Sequence, residues 1–397
     1  MKILRVINSM NPASGGPCQG IRNTVPQMTS LGAHTEVLCL DDPKSDWMGK
    51  DVFTVHAVGK AQGPWAYHAE LLPWLKNHMS SFDVVIVHGL WQYHSYAVIK
   101  VQQSLKKQRL KCPSIYVMPH GMLDPYFQKA EGRKLKAIRN SLYWHLIEAK
   151  VVRNADGLLF TCQEELELAA KTFNRYQPKA VYNVGYGVLP PPELNQIHTK
   201  AFKQLCPETE GKPYILFLSR VHEKKGVDIL LSAYDKVYAN DSTAPMLIIA
   251  GPGMETDYGK RLKKIVDNSS FLNSNVRFVG MLQGDIKWGA FYNAETFILP
   301  SHQENFGIAV AEALACKLPV LISNKVNIWR EIESKSGGFV ANDDEDGVIG
   351  LLNKWKNCEV KVKQDMRLNA YAAYDQFFTV QQAANNVMKV LKTKENA

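Results

Sequence analysis

The chain has 397 residues, 46% hydrophobic and 21% charged, with a formal net charge of +9. That length exceeds one ordinary core and predicts two domains of roughly 150–200 residues. The balance of apolar and charged residues excludes a disordered chain, and the longest apolar runs fall far short of the ~20 residues a membrane span needs.

The N-terminal stretch KILRVIN reads as a first strand, because no long apolar segment ends in a cleavage site as in a signal peptide. A glycine loop, ASGGPCQG, follows it, then a helical stretch to Leu31, then the strand HTEVLCL. FDVVIVHG and PSIYVMPHG are two further strands, each ending in His-Gly, and DGLLFTC is another. Short continuous apolar runs of this kind suit parallel strands covered on both faces. Three prolines in LPPPE, from Leu189, make a stiff connection that ends the first unit. The rhythm then restarts with PYILFLS, PMLIIAG, NVRFVG, TFILPS and PVLIS, five strands with helical patterns between most of them. The acidic loop DDEDG, 343–347, is a solvated turn, and the last helix, VQQAANNVMKVLKT, is expected to leave the second unit and cross back to the first.

Seven cysteines without a CxxC pair predict reduced cytosolic thiols and no zinc site. Residues 1–195 carry 22 Lys/Arg and 15 Asp/Glu, while residues 196–397 carry 25 and 23, so most of the positive excess lies in the first half. A basic half suits nucleic acid, an anionic membrane or a phosphorylated substrate, or is merely a soluble surface. Nucleic acid is disfavoured, because KKQRLK at 106–111 has no interleaved aromatic residues. On RKLKAIRNSL, 133–142, the basic positions Lys129, Arg133, Lys136 and Arg139 fall on one side and Leu135, Ile138 and Leu142 on another. Such a helix either rests its basic side on an anionic leaflet without insertion or packs its apolar side on the sheet.

In doubly wound units, ligands bind just past the C-terminal ends of strands. SRVHEKKG, 219–226, occupies such a place and opens a helix, so Arg220 and Lys225 suit a diphosphate. Glu304 lies in the loop SHQEN after TFILP, with the amides of Asn305, Phe306 and Gly307 at the start of the next helix, where anions are favoured. Glu312 is about two turns into that helix, inside the apolar run GIAVAEALA. Its carboxylate is met either by hydroxyls of an extended ligand or by a lysine or arginine from a neighbouring strand.

The stretch 301–320 resembles the E-x7-E signature of retaining glycosyltransferases of family 4, which have the GT-B fold, and SRVHEKKG resembles that family's Arg…Lys-Gly loop about 80 residues earlier. IIAGPG, with Gly251, before VRFVG also fits. The resemblance covers most of the chain, and the second half is the more specific. It implies an α/β GT-B protein: two Rossmann-like doubly wound domains facing a central cleft, residues 1–192 on the acceptor side and 193–378 on the nucleotide-sugar side, with the helix 379–397 packing back on the first. It implies that Glu304 holds hydroxyls of the donor sugar, that Glu312 accepts from the ribose, and that Arg220 and Lys225 neutralise the departing diphosphate. Gly15 and Gly16 match the family's glycine pair, and His120, with His88 as its rival, matches a histidine that reaches the donor sugar. Base recognition is expected near Gly280 and Met281.

The implied activity is retaining transfer of a sugar from a nucleotide diphosphate donor to a hydroxyl acceptor, carbohydrate or lipid-linked, in polysaccharide, lipopolysaccharide or glycolipid assembly. Alternatives on the same fold are sucrose-synthase-like or phosphorolytic chemistry, or nucleotide-sugar binding without catalysis. No cofactor and no metal are expected, since no DxD motif stands beside the sugar site; the nucleotide sugar is a substrate. The expected location is cytoplasmic, with a peripheral membrane contact. Lys317 departs from the pattern, which usually has glycine there.

Overall fold

The computed structural model describes residues 1–129 and 134–393, so Arg133 and the side chain of Lys129 lie outside the described residues. The chain forms two compact units, residues 1–187 with 379–397, and residues 188–378.

The first unit is built on seven parallel strands: β1 (Lys2–Ile7), β2 (His34–Cys39), β3 (Thr54–Ala57), β4 (Val84–His88), β5 (Ser114–Met118), β6 (Gly157–Phe160) and β7 (Val181–Asn183), in the order β3-β2-β1-β4-β5-β6-β7. β3 and β7 are absent from the sequence reading. Both are short edge strands with no fully buried residue, so neither needs the continuous apolar run that marks a covered strand. Within β1 the pleat sends Leu4 and Val6 to one core and Ile3 to another. The second core is closed by the C-terminal helix Val380–Thr393, whose Ala384, Val387, Met388 and Leu391 recur at helical spacing and cover Ile3, Val84 and Ile86.

The second unit has six parallel strands: β8 (Tyr214–Leu218), β9 (Met246–Ala250), β10 (Val276–Gly280), β11 (Thr296–Leu299), β12 (Val320–Ser323) and β13 (Gly338–Ala341), in the order β10-β9-β8-β11-β12-β13. β13 is the strand that the sequence reading lacks, and it too is a half-covered edge. The helix Val227–Tyr238 buries Val227, Leu230, Leu231, Tyr234 and Tyr238, and each such side chain contributes ~1.5–3 kcal/mol on burial.

Strand order reverses once in each unit, between β1 and β4 and between β8 and β11. The chain leaves such neighbouring strands in opposite directions, which opens a crevice at their C-terminal ends. Among the described residues no helix is long and apolar enough to cross a membrane.

Candidate active site

In the second unit the reversal lies between the loop after β8, which carries Arg220 and Lys225, and the loop after β11, which carries Glu304. The two loops are tied through their backbones. His302 N–H donates to the Lys224 carbonyl at 2.7 Å and the Ser301 hydroxyl to the same oxygen at 2.9 Å. On its other side Glu304 N–H donates to Lys325 O at 2.9 Å, and Asn327 N–H donates to Glu304 O at 3.0 Å. Glu304 is therefore fixed from both flanks, and its Oε2 accepts from the Lys225 ammonium. The Lys225 side chain is 8% exposed and that of Glu304 24%. Arg220 is exposed and pairs with no acid among the described residues.

Glycine is required where these loops meet. Gly226 and Gly251 both have positive φ (66° and 139°), and a Cβ would overlap the Pro300 carbonyl oxygen at the first and the Ser219 carbonyl oxygen at the second. The loop after β9 can thus lie directly on the start of the Arg220 loop. Gly251 N–H donates to Gly280 O at 2.7 Å, which joins the end of β9 to the end of β10, and Met281 beyond it is exposed.

The helix after Glu304 spans Ile308–Ala315 and is entered through Gly307 at φ 81°. Phe306 turns inward against Phe378, ring centroids 5.5 Å apart, so its side chain belongs to the core. Val310, Ala311, Ala313 and Leu314 are buried, and Glu312 occupies the remaining edge. Its Oε1 accepts from Lys287 Nζ at 2.7 Å, with the two side chains 14% and 21% exposed. The cation that meets Glu312 comes from the helix Gly284–Asn293, not from a strand. One lysine occupies one oxygen of a group with about four acceptor sites. Lys317 ends the helix in the left-handed region, φ 58°, with Leu318 N–H donating to Ala313 O at 2.9 Å and Lys317 N–H to Leu314 O at 3.0 Å.

In the first unit the reversal lies between the loops after β1 and β4. After β1 the chain makes a turn, Pro12–Ser14, capped by the Asn11 side chain, and Gly15 at φ 84° leads into the helix Gly16–Ser30. Among the described residues no atom beyond Gly15's chain neighbours lies within 4 Å of where its Cβ would stand, so conformation alone calls for glycine there.

His88 and His120 are brought together. His88 Nδ1 lies 2.9 Å from His120 Nε2, with the rings stacked at 5.2 Å, and Arg5 Nη1 lies 3.2 Å from His88 Nε2. A guanidinium only donates, so His88 Nε2 accepts. His88 then carries its proton on Nδ1 and donates it to His120 Nε2. That leaves His120 as the Nδ1–H form, its outer nitrogen a donor. Burial and then Arg5 hold the His120 ring neutral, lowering its pKa to about 3. Burial, followed by Arg5, also pushes His88 well below its ordinary value. The turn after His120 is held by Gly121 N–H donating to Glu165 Oε1 at 2.5 Å. Sequence reasoning missed Arg5 and Lys287. An arginine inside the apolar strand KILRVI was a visible anomaly; nothing in GDIKWGAFYN marked Lys287. Among the described residues no three His, Cys, Asp or Glu side chains are grouped closely enough to hold a metal ion.

This arrangement is matched by known families. Residues 199–373 fit the model of glycosyl transferases group 1, and residues 15–183 fit that of the glycosyl transferase 4-like domain. The chain belongs to this glycosyltransferase family and has its GT-B fold. It is 28% identical over 159 residues to an uncharacterized glycosyltransferase of Methanocaldococcus jannaschii, a stretch covering 39% of each chain. It is also 28% identical over 339 residues to mannosylfructose-phosphate synthase of Agrobacterium fabrum, covering 80% of this chain and 72% of the relative. Anabaena HepE, solved in complex with UDP-glucose, superposes with a TM-score of 0.72 over 99% of this chain and 100% of its own, at 17% identity.

Proposed function

We propose that the protein is a retaining glycosyltransferase that moves a sugar from a nucleoside diphosphate donor to a hydroxyl acceptor in polysaccharide, lipopolysaccharide or glycolipid assembly. The observation that carries this reading is the convergence of Arg220, Lys225 and Glu304 at the strand reversal of residues 188–378, where backbone bonds lock both loops. The UDP-glucose bound to HepE supports a nucleotide-sugar donor.

In this reading the exposed Arg220 and the helix start beyond Gly307 receive the diphosphate. The bond from the anomeric carbon to the phosphate oxygen breaks first, through an oxocarbenium-like transition state. Arg220 and Lys225 stabilise the charge that grows on the leaving group, which is the largest electrostatic contribution. The acceptor hydroxyl then adds on the same face, and its proton passes to the departing phosphate oxygen. Glu304, fixed from both flanks, accepts from hydroxyls of the reacting sugar, and the Nδ1–H of His120 donates to one. Glu312 accepts from the ribose with the oxygen that Lys287 leaves open, and Gly280 and Met281 border the base. Gly15 and Gly16 give donor or acceptor phosphate close access to the backbone. No metal takes part.

The seven free thiols support a reducing, cytoplasmic setting. A soluble sugar phosphate is the second reading for the acceptor, carried by the long alignment with mannosylfructose-phosphate synthase. The test is a hydrolysis and thermal-shift screen with UDP-, GDP- and ADP-sugars, with EDTA present, followed by the anomeric configuration of the product. Donor-dependent release of a nucleoside diphosphate with retained configuration is expected. Binding without turnover, inverted configuration or a strict metal requirement refutes the reading.

A further inference from the structure

We propose that the helix Lys134–Tyr143 and the turn after it form a lipid-docking face whose aliphatic ridge enters an anionic leaflet. Leu135, Ile138, Leu142 and Leu146 are 84%, 67%, 62% and 58% exposed. At 100° per residue the first three fall within about 60° of one another on the helix. Of the two readings open from the sequence, packing of these side chains on the sheet is the one their exposure excludes. Another edge of the helix, with Arg139, Asn140 and Tyr143, lines a pocket of about 460 Å³ together with Trp65, Trp91 and Phe127. A contiguous aliphatic ridge left in water marks an interaction site.

Charge selects the occupant. From the start of the helix to residue 154, Lys and Arg outnumber Asp and Glu five to one. The one acid, Glu148, is fully buried. Lys136, Arg139, Lys150 and Arg153 are exposed. A second copy meeting this face across a two-fold axis would set cations against cations. An anionic leaflet complements both features. Its headgroups meet the basic side chains, and its acyl boundary takes the ridge of a helix lying in the interface plane. The basic side alone, without insertion, was the expectation from sequence; the exposed ridge adds the apolar half.

The proposal is independent of the donor chemistry, which a solution hydrolysis assay reads without lipid. The full chain is co-sedimented with phosphatidylcholine vesicles containing about a third phosphatidylglycerol, at low salt and at ~1 M salt, where screening falls to ~3 Å. Wild type is expected to bind, with a fraction surviving high salt. Lys136→Gln with Arg139→Gln lowers partitioning about fivefold per charge. Leu135→Ser with Ile138→Ser and Leu142→Ser lowers it at least ~10-fold and removes the salt-resistant fraction, with an unchanged melting temperature because these side chains are exposed. Ile138→Asn alone keeps the test usable if the triple variant melts early. Absence of binding by wild type overturns the proposal. So does binding by the ridge variants equal to wild type. A dimer that the ridge substitutions disperse, with no vesicle binding, also overturns it.

Discussion

The Lys225–Glu304 pair makes a prediction whose size follows from its burial. Removing one partner of a fully buried ion pair costs ~3–5 kcal/mol, because the other charge is left uncompensated. The Glu304 side chain keeps 24% of its exposure, so water screens part of the loss and each single neutralisation should cost ~2 kcal/mol. Lys225→Met and Glu304→Gln are the near-isosteric choices. In the double variant no charge is stranded, so its cost should be less than the sum by ~2 kcal/mol, the coupling measured by a double-mutant cycle. Activity behaves differently. Lys225→Met should lose ~2–4 kcal/mol of transition-state stabilisation, a ~30- to 1000-fold drop in kcat, and the double variant should not recover it. Unfolding midpoints of the four proteins in urea give the first quantity, and donor hydrolysis gives the second. Additive stability losses would show that the pair does not interact, and recovery of activity in the double variant would remove Lys225 from the leaving-group role.

Glu148 is buried, its Oε1 accepting from Trp91 N–H at 2.7 Å and Ser95 Oγ at 3.1 Å, and burial raises its pKa to about 8. Between the ordinary carboxyl value and pH 8 the folded chain holds a proton that the unfolded chain releases, so stability falls by up to ~1.4 kcal/mol per pH unit as pH rises. Glu148→Gln should therefore raise the melting temperature relative to wild type far more at pH 8 than at pH 5, where little of the loss has accrued; equal effects at both pH values contradict this. Lys317→Gly should stabilise by ~1 kcal/mol, since the left-handed conformation is free for glycine, and raise the melting temperature by ~2–4 °C; a lower melting temperature refutes it. Arg5→Met removes the donor that fixes the His88–His120 chain. Nitrogen NMR should show His120 protonated on Nδ1 and neutral down to about pH 4 in wild type, and tautomer mixing with a raised pKa in the variant. An unchanged spectrum in the variant removes Arg5 from that role.

Much of the architecture was legible because a parallel strand covered on both faces carries a near-continuous apolar run. KILRVIN, FDVVIVHG, PYILFLS and TFILPS declare β1, β4, β8 and β11 for that reason, and the reversals between them place Arg220, Lys225 and Glu304 just past strand ends. The edge strands β3, β7 and β13 were not legible, since half-covered strands carry no such run. The loop glycines were visible as residues, but what they avoid was not: only the folded chain shows that Gly226 faces the Pro300 carbonyl and Gly251 that of Ser219. The sequence by itself determined two doubly wound units and the charged groups at their strand ends, because periodicity and loop position are local properties. The tertiary structure alone decided partnerships: Lys287 on Glu312, Lys225 on Glu304, and Arg5 setting the proton positions of His88 and His120. Each joins residues at least 25 apart in the chain, and no local pattern encodes which lysine or arginine a distant carboxylate or imidazole will meet.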